Sequence, residues 1–138
     1  MKRKTILIRF LLPGSLLVVG MIAFSCNVRY DAPVSSDWVF VNKTTSTIEV
    51  QDKIFNSFVL QPDSTYIFQE SGEGPDGIKP EGYYSPYGAS STIIVDDTIR
   101  HILSKGESIS NVKNYKAEKV GYNYYRFTYI FTRDSIAW

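Results

Sequence analysis

Two residue types that often carry protein chemistry are almost missing from this chain of 138 residues, which has one cysteine and one histidine. A single cysteine excludes a disulfide within the chain and a metal site built from several cysteines. The lone His101 shares a predicted strand face with Ile99 and Leu103, so we expect a hydrogen-bonded structural histidine rather than a general base. The chain has no G-x-S-x-G nucleophile motif and no His/Cys set with metal-binding spacing. We therefore expect no catalytic residue, no metal and no cofactor.

A strong excess of charge and helix-forming runs are lacking too. The chain has 15 Lys and Arg against 14 Asp and Glu. Four of the basic residues and no acidic residue lie in residues 1–25, so the remainder has 11 basic against 14 acidic residues and a net charge of −3. This weakly acidic body argues against nucleic acid as a partner. Runs of Ala, Leu and Glu are absent, whereas the strand-favouring residues Thr, Ile, Val, Tyr and Phe are abundant.

The single cysteine, Cys26, closes an N-terminal segment that is first basic and then apolar. Its basic residues are Lys2, Arg3, Lys4 and Arg9. The apolar run covers residues 10–24, which is typical of a lipoprotein signal peptide whose residues 1–25 are removed and whose Cys26 carries acyl chains. Two alternatives remain open: an uncleaved anchor, which normally needs about 20 apolar residues, and ordinary signal-peptide cleavage after residues 23–25. All three interpretations place the body of the protein outside the cytoplasm.

After a lipidated tether over residues 26–37, the sequence alternates between apolar and polar residues in short runs. Strands are predicted over residues 38–42, 47–51, 54–60, 65–69, 92–95, 98–103 and 122–132. About seven short strands without a long helix predict an all-β, immunoglobulin-like two-sheet sandwich over residues 38–138, with a small β-barrel as the alternative. The expected core consists of Trp38, Phe40, Ile48, Val50, Ile67, Ile94, Phe127 and Phe131.

One long irregular segment, residues 71–91, interrupts the strand pattern. Its many glycines and prolines disfavour regular structure. Long loops on a rigid sandwich commonly carry binding residues, and Tyr rings with polar tips suit contacts with sugars or proteins. We therefore predict a binding surface made of Tyr83, Tyr84 and Tyr87. The alternative is that these rings fold back and cap the sandwich.

Several short segments carry a resemblance to known proteins. WVFVNKTTSTIEV begins at Trp38, an I-x-N-x-x-N-Y segment covers residues 109–115, and the aromatic stretch YRFTYIFTRDSIAW closes the chain. Together with the cysteine-terminated leader, these segments resemble small uncharacterised envelope lipoproteins of the Bacteroides group. The resemblance implies a β-sandwich fold and a location in the cell envelope, and it implies no activity. Surface-exported members have acidic residues just after the lipidated cysteine, unlike this chain, so we expect the periplasmic face of the outer membrane.

The same resemblance implies a covalent modification. Envelope proteins of that group are O-glycosylated at Asp followed by Ser or Thr and then a small or aliphatic residue. This pattern predicts Ser64, Thr98 and Ser135 as glycosylation sites, each at a predicted turn or strand end. The alternative is that Asp-Ser and Asp-Thr simply make good turns.

Two functional hypotheses remain open at this point. The first is a non-catalytic envelope lipoprotein, attached to the membrane through lipid on Cys26, that acts as a binding or assembly module for an envelope protein or glycan. The second is an accessory carbohydrate-binding protein or hydrolase subunit of the envelope. The near absence of His and Cys favours the first.

Overall fold

Eight strands form the frame of the part of the chain that the structure describes. The structure is a computed structural model, and it describes residues 31–137. The strands are β1 (Ala32–Asn42), β2 (Ile48–Gln51), β3 (Phe58–Leu60), β4 (Thr65–Gly74), β5 (Thr92–Val95), β6 (Ile99–Ile102), β7 (Lys116–Gly121) and β8 (Tyr124–Phe131). Short 3₁₀ turns lie between or after them, at Pro80–Gly82, Ser108–Ser110, Val112–Asn114 and Asp134–Ile136.

The strands form two sheets of four, ordered β4-β1-β8-β7 and β3-β2-β5-β6. Neighbouring strands are antiparallel except for β1 and β8, the first and last strands, which pair in parallel at the centre of one sheet. The all-β two-sheet sandwich predicted from the sequence is confirmed. The alternative of a small barrel is wrong, because the two sheets are not closed into one.

Aromatic rings dominate the core between the two sheets. On β8, Phe127, Tyr129 and Phe131 are buried, whereas Arg126 on the other face is exposed. This is the alternation with period two that a strand imposes, and it confirms the predicted facing of the closing strand. Trp38 from β1 stacks on Phe127 with ring centroids 4.6 Å apart. The first and last strands of the chain therefore supply the centre of the core.

One residue of the expected core lies elsewhere. Ile67 is 60% exposed, because Tyr66 and Phe68 on either side of it occupy the inward face of β4. This error is a shift by one residue within an apolar run, where the sequence does not show which alternate residues face inward. Ile94 is buried as expected, although the main core cluster contains its neighbours Ile93 and Val95 instead. The remaining expected core residues are buried: Trp38, Phe40, Ile48, Val50, Phe127 and Phe131.

The strand boundaries depart from the prediction mainly in polar segments. β1 begins at Ala32, so residues 32–37 are strand rather than tether. They pair with β4 along their whole length and with β8 from Ser35 onward. Likewise β4 extends to Gly74, into the segment expected to be irregular. β7 was not predicted, because almost all of its side chains are exposed and the segment shows no apolar alternation. Pairing with neighbouring strands, rather than apolar alternation, holds these segments in place.

Candidate functional site

An aromatic pocket opens at the side of the sandwich where β4 forms the edge of its sheet. It has a volume of about 110 Å³ and is lined by Phe55, Asn56, Tyr66, Phe68, Glu70 and Tyr87. The lining residues come from three separate parts of the chain: the loop between β2 and β3, the strand β4, and the long loop before β5. We call this site the aromatic pocket.

Strand alternation explains the contribution of β4. Tyr66, Phe68 and Glu70 occupy every second position, so their side chains share the inward face of the strand. Because β4 has a hydrogen-bonded neighbour on one side only, these three residues are partly buried rather than enclosed. The pocket is thus an extension of the core that reaches the surface at a sheet edge.

The rings of the pocket face in different directions. The rings of Phe68 and Tyr87 are nearly perpendicular, at 89°, with centroids 6.2 Å apart. Phe55 also lies 6.2 Å from Tyr87, at 56°, and Tyr66 lies 5.9 Å from Phe68, at 42°. Centroid distances and angles of this kind are typical of tilted and edge-on ring contacts. Tyr66 also stacks on Phe58, with centroids 4.4 Å apart, and Phe68 on Phe40. The rings that line the pocket are therefore held by one another and by the core.

Tyr87 is the most firmly held ring of the pocket. It is 1% exposed and also packs edge-on against Phe40 and Phe58 of the core. Its hydroxyl donates a hydrogen bond of 2.8 Å to the carbonyl oxygen of Asn56. Burial raises the pKa of Tyr87 far above its ordinary value, and the nearby Tyr66 adds to this effect. Tyr87 therefore stays neutral and serves as a fixed wall and hydrogen-bond donor.

Glu70 is the charged group of the pocket. Its Oε2 accepts a hydrogen bond of 2.8 Å from Nε1 of Trp38, whose indole is fully buried. Three ion pairs occur among residues 31–137: Lys43–Asp63, His101–Glu107 and Arg126–Asp37. Glu70 belongs to none of them. A partly buried carboxylate is thus oriented by the core and has no ion-pair partner among the described residues.

Asp52 organises the loop that carries Phe55 to the pocket. Its Oδ1 accepts hydrogen bonds from the backbone N–H groups of Ile54 and Phe55, at 2.8 and 3.1 Å, and its Oδ2 accepts one from Oγ of Ser91. Partial burial acts to raise the pKa of Asp52, but these hydrogen bonds outweigh it and hold the pKa below its ordinary value. The loop is therefore fastened by a carboxylate in its ionised form.

Of the three tyrosine rings predicted to form an exposed surface, two are buried. Tyr83 and Tyr87 are only 8% and 1% exposed, whereas Tyr84 is 90% exposed. Tyr83 donates a hydrogen bond of 3.0 Å to the carbonyl oxygen of Asn123 and packs against Phe127 of the core. The alternative interpretation, in which the rings fold back and cap the sandwich, thus holds for Tyr83 and Tyr87. A binding role stays a prediction for Tyr84, and for Tyr87, which lines the aromatic pocket.

The three predicted glycosylation sites all lie in turns. The hydroxyls of Ser64, Thr98 and Ser135 each donate to a backbone carbonyl three residues earlier, over 2.7, 3.3 and 2.9 Å. The preceding Asp63 and Asp97 have positive φ angles of 56° and 59°, as tight turns require. These contacts directly support the turn interpretation of the Asp-Ser and Asp-Thr pairs. Glycosylation at these hydroxyls stays a prediction.

The remaining sequence-based candidates are placed as follows. Nε2 of His101 lies 2.7 Å from Oε1 of Glu107, so the expected hydrogen-bonded histidine is confirmed. Residues 31–137 contain no group of three His, Cys, Asp or Glu side chains arranged to hold a metal ion. None of the helices within the same range is long and apolar enough to cross a membrane. Cys26 and its leader lie outside the described residues.

Comparisons with protein-family models, with curated proteins and with solved structures find no match to this chain. Sequence reasoning missed five residues of the aromatic pocket, namely Phe55, Asn56, Tyr66, Phe68 and Glu70. One signal was present in the sequence: the Y-x-F-x-E pattern of β4 places a carboxylate in line with two inward aromatic residues.

Proposed function

We propose that this protein is a non-catalytic binding module of the cell envelope, anchored by lipid on Cys26 to the periplasmic face of the outer membrane. It binds its ligand in the aromatic pocket. The observation that carries this proposal is the pocket itself, in which four aromatic rings and one carboxylate converge on about 110 Å³ at the surface. Ligand sites combine apolar walls with a few well-placed polar groups in this way.

The pocket is suited to binding because its walls are held from behind by the core. Tyr87 is fixed by the core rings and by the carbonyl of Asn56, and Glu70 is fixed by Trp38. Such preorganisation lowers the entropy lost when a ligand is bound. Phe55, at 36% exposed, stands at the rim, where a ligand would make its first contact.

The proposed location in the cell envelope depends on the N-terminal segment that ends at Cys26. Basic residues, an apolar run and then Cys26 follow in the order that a lipoprotein signal requires. Two or more acyl chains on Cys26 would give stable attachment, since each buried CH₂ contributes about 0.8 kcal/mol and one chain alone is marginal. A pocket on a lipid-held domain would keep its ligand close to the membrane.

A carbohydrate ligand is the second candidate, favoured by the polar groups at the rim. Asn56 is exposed, and it lines the pocket together with Tyr66. Sugars bind through such hydrogen-bonding groups together with aromatic faces. The pocket volume holds only part of a sugar ring, so most of a glycan would lie outside it.

The test uses the full-length protein in a nonionic polyoxyethylene detergent, which offers neither sugar nor ammonium head groups. A panel of glycan fragments, peptides and small organic cations is screened by NMR for shifts of the Trp38 indole N–H signal, which reports on Glu70. The Trp138→Phe variant leaves Trp38 as the only tryptophan. We expect a saturable response that is lost in Phe55→Ser and kept in Tyr122→Ser, a matched loss of an exposed aromatic ring elsewhere.

The anchoring half of the proposal is tested by replacing Cys26 with Ala. The variant should leave the membrane fraction or accumulate with its leader attached, as read by fractionation and mass spectrometry. A panel in which no compound moves the Trp38 signal would refute the binding role. An unchanged membrane fraction for Cys26→Ala would refute the lipid anchor.

A further inference from the structure

We propose that the aromatic pocket recognises a substituted ammonium group, with Phe55, Tyr66, Phe68 and Tyr87 as its aromatic walls and Glu70 as its counter-charge. This inference rests on the proposed function, because it names the ligand class of the same site. The ligand is a small organic cation whose alkylammonium head enters the pocket while the rest of the molecule stays outside.

The first argument is the orientation of the rings. The face of an aromatic ring is electron-rich and attracts a cation that lies within about 6 Å of the ring centroid. Phe68 and Tyr87 are nearly perpendicular, and Phe55 and Tyr66 are inclined to them. All four rings line the same pocket, so a compact cation in it meets several rings at once, whereas a flat neutral ring could stack on only one of them. Inclined walls therefore favour a rounded cationic group.

The second argument is charge. Glu70 is the only ionisable acid or base among the lining residues apart from the two tyrosines, and no Lys, Arg or His lines the pocket. A partly buried carboxylate attracts a nearby cation more strongly than a fully exposed one, because water screens its charge less. None of the ion pairs among residues 31–137 includes Glu70, and its Oε2 receives only the neutral indole N–H of Trp38. A bound cation supplies the missing charge, whereas an anion would be repelled.

The third argument is size. The volume of about 110 Å³ is well below the roughly 300–1,000 Å³ of pockets that enclose a whole drug-sized ligand. It is closer to the cavity of about 150 Å³ that admits a single benzene molecule. The pocket therefore holds one head group, such as a trimethylammonium or the end of a lysine side chain.

The experiment compares choline with its neutral carbon isostere, in which a carbon atom replaces the nitrogen. The full-length Trp138→Phe protein in polyoxyethylene detergent is titrated with each compound, and the Trp38 indole N–H signal is followed. The two probes have nearly the same shape, so only the charge differs. We expect choline to bind at least tenfold more tightly than the isostere, a difference of about 1.4 kcal/mol.

Glu70→Gln gives the matched variant, because glutamine keeps the shape and an oxygen acceptor for Trp38 but removes the charge. It should weaken choline binding at least tenfold and leave the isostere unaffected. Glu73→Gln, which makes the same charge change at an exposed position on the same strand, should alter neither. Thermal unfolding of both variants verifies that the fold is kept.

Two further probes distinguish a quaternary ammonium ligand from a lysine side chain. They are lysine and trimethyl-lysine, each with its α-amino and carboxyl groups blocked. Stronger binding of the methylated form, like that of choline, supports a quaternary ammonium, whereas equal binding supports a lysine side chain. Equal binding of choline and its isostere, or no effect of Glu70→Gln, would overturn the inference. If sugars move the Trp38 signal and cations do not, the inference fails while the proposed binding function stands. If no probe binds, both fail.

Discussion

Replacement of neighbouring tyrosines one at a time gives the sharpest test of the loop before β5. Tyr87 is 1% exposed and lies against a cluster of rings, whereas Tyr84 is 90% exposed. Truncation of a buried aromatic residue to Ala costs about 3–5 kcal/mol, because the lost contacts leave a cavity. We expect Tyr87→Ala to fall in this range and Tyr84→Ala to change the free energy of unfolding by no more than about 0.5 kcal/mol.

The two values are far enough apart for a decisive measurement. In a domain of about 100 residues, 1 kcal/mol moves the Tm by roughly 4–8 °C, so Tyr87→Ala should lower it by at least about 12 °C. Since small domains have only about 5–15 kcal/mol in total, this variant approaches global unfolding. Tyr87→Phe provides a milder step, because it removes only the hydrogen bond to the carbonyl of Asn56, at a cost of about 0.5–1.5 kcal/mol.

Urea denaturation followed by tryptophan fluorescence measures all three variants under the same conditions. Similar losses for Tyr84→Ala and Tyr87→Ala would refute the reasoning, because the two side chains would then share one environment. A loss in Tyr87→Phe as large as in Tyr87→Ala would show that the hydroxyl, rather than ring packing, holds the loop.

Two further predictions follow from the core and from the ionised carboxylates. Phe127→Ala should cost about 3–5 kcal/mol in urea denaturation, because Phe127 is fully buried against Trp38; a loss below about 1 kcal/mol would contradict its central position. The pKa values of Asp52 and Glu107 lie below their ordinary values. Both ionised carboxylates therefore stabilise the fold when the pH is above the ordinary pKa of the unfolded chain. This stabilisation is lost as the pH falls through the lowered pKa of the folded state. The Tm should therefore drop in acid below about pH 4, and less steeply in Asp52→Asn, whereas parallel curves for the two proteins would contradict this role of Asp52.

Sequence patterning predicts the strands whose inward residues are plainly apolar. β8 alternates between aromatic and other residues so regularly that its inward face follows directly from the period of two. The same reasoning fails for β4, where the run Y-I-F offers two registers and only the partner strands decide that Ile67 faces out. It fails again for β7, whose exposed residues form a strand only because β8 offers hydrogen bonds.

The beginning of β1 shows a different limit. Residues 32–37 read as a tether because they are short, polar and contain a proline. In the structure they lie between β4 and β8, and Asp37 forms an ion pair with Arg126 at 3.0 Å. Each of these partners lies dozens of residues away along the chain. Local composition indicates the conformation that a segment would adopt alone. Here, pairing with β4 and β8 determines that residues 32–37 form part of a strand.

The aromatic pocket could be predicted only in part, because its walls meet through contacts distant in sequence. Trp38 and Glu70, joined by a hydrogen bond, are 32 residues apart, and Tyr87 reaches Asn56 across 31. One local conflict was nevertheless visible: Glu70 continues the inward face of β4 after two aromatic residues, where the strand pattern calls for an apolar side chain. A sequence that breaks its own pattern at one inward position, and fixes that carboxylate with the fully buried indole of Trp38, supports the proposed binding role of the pocket.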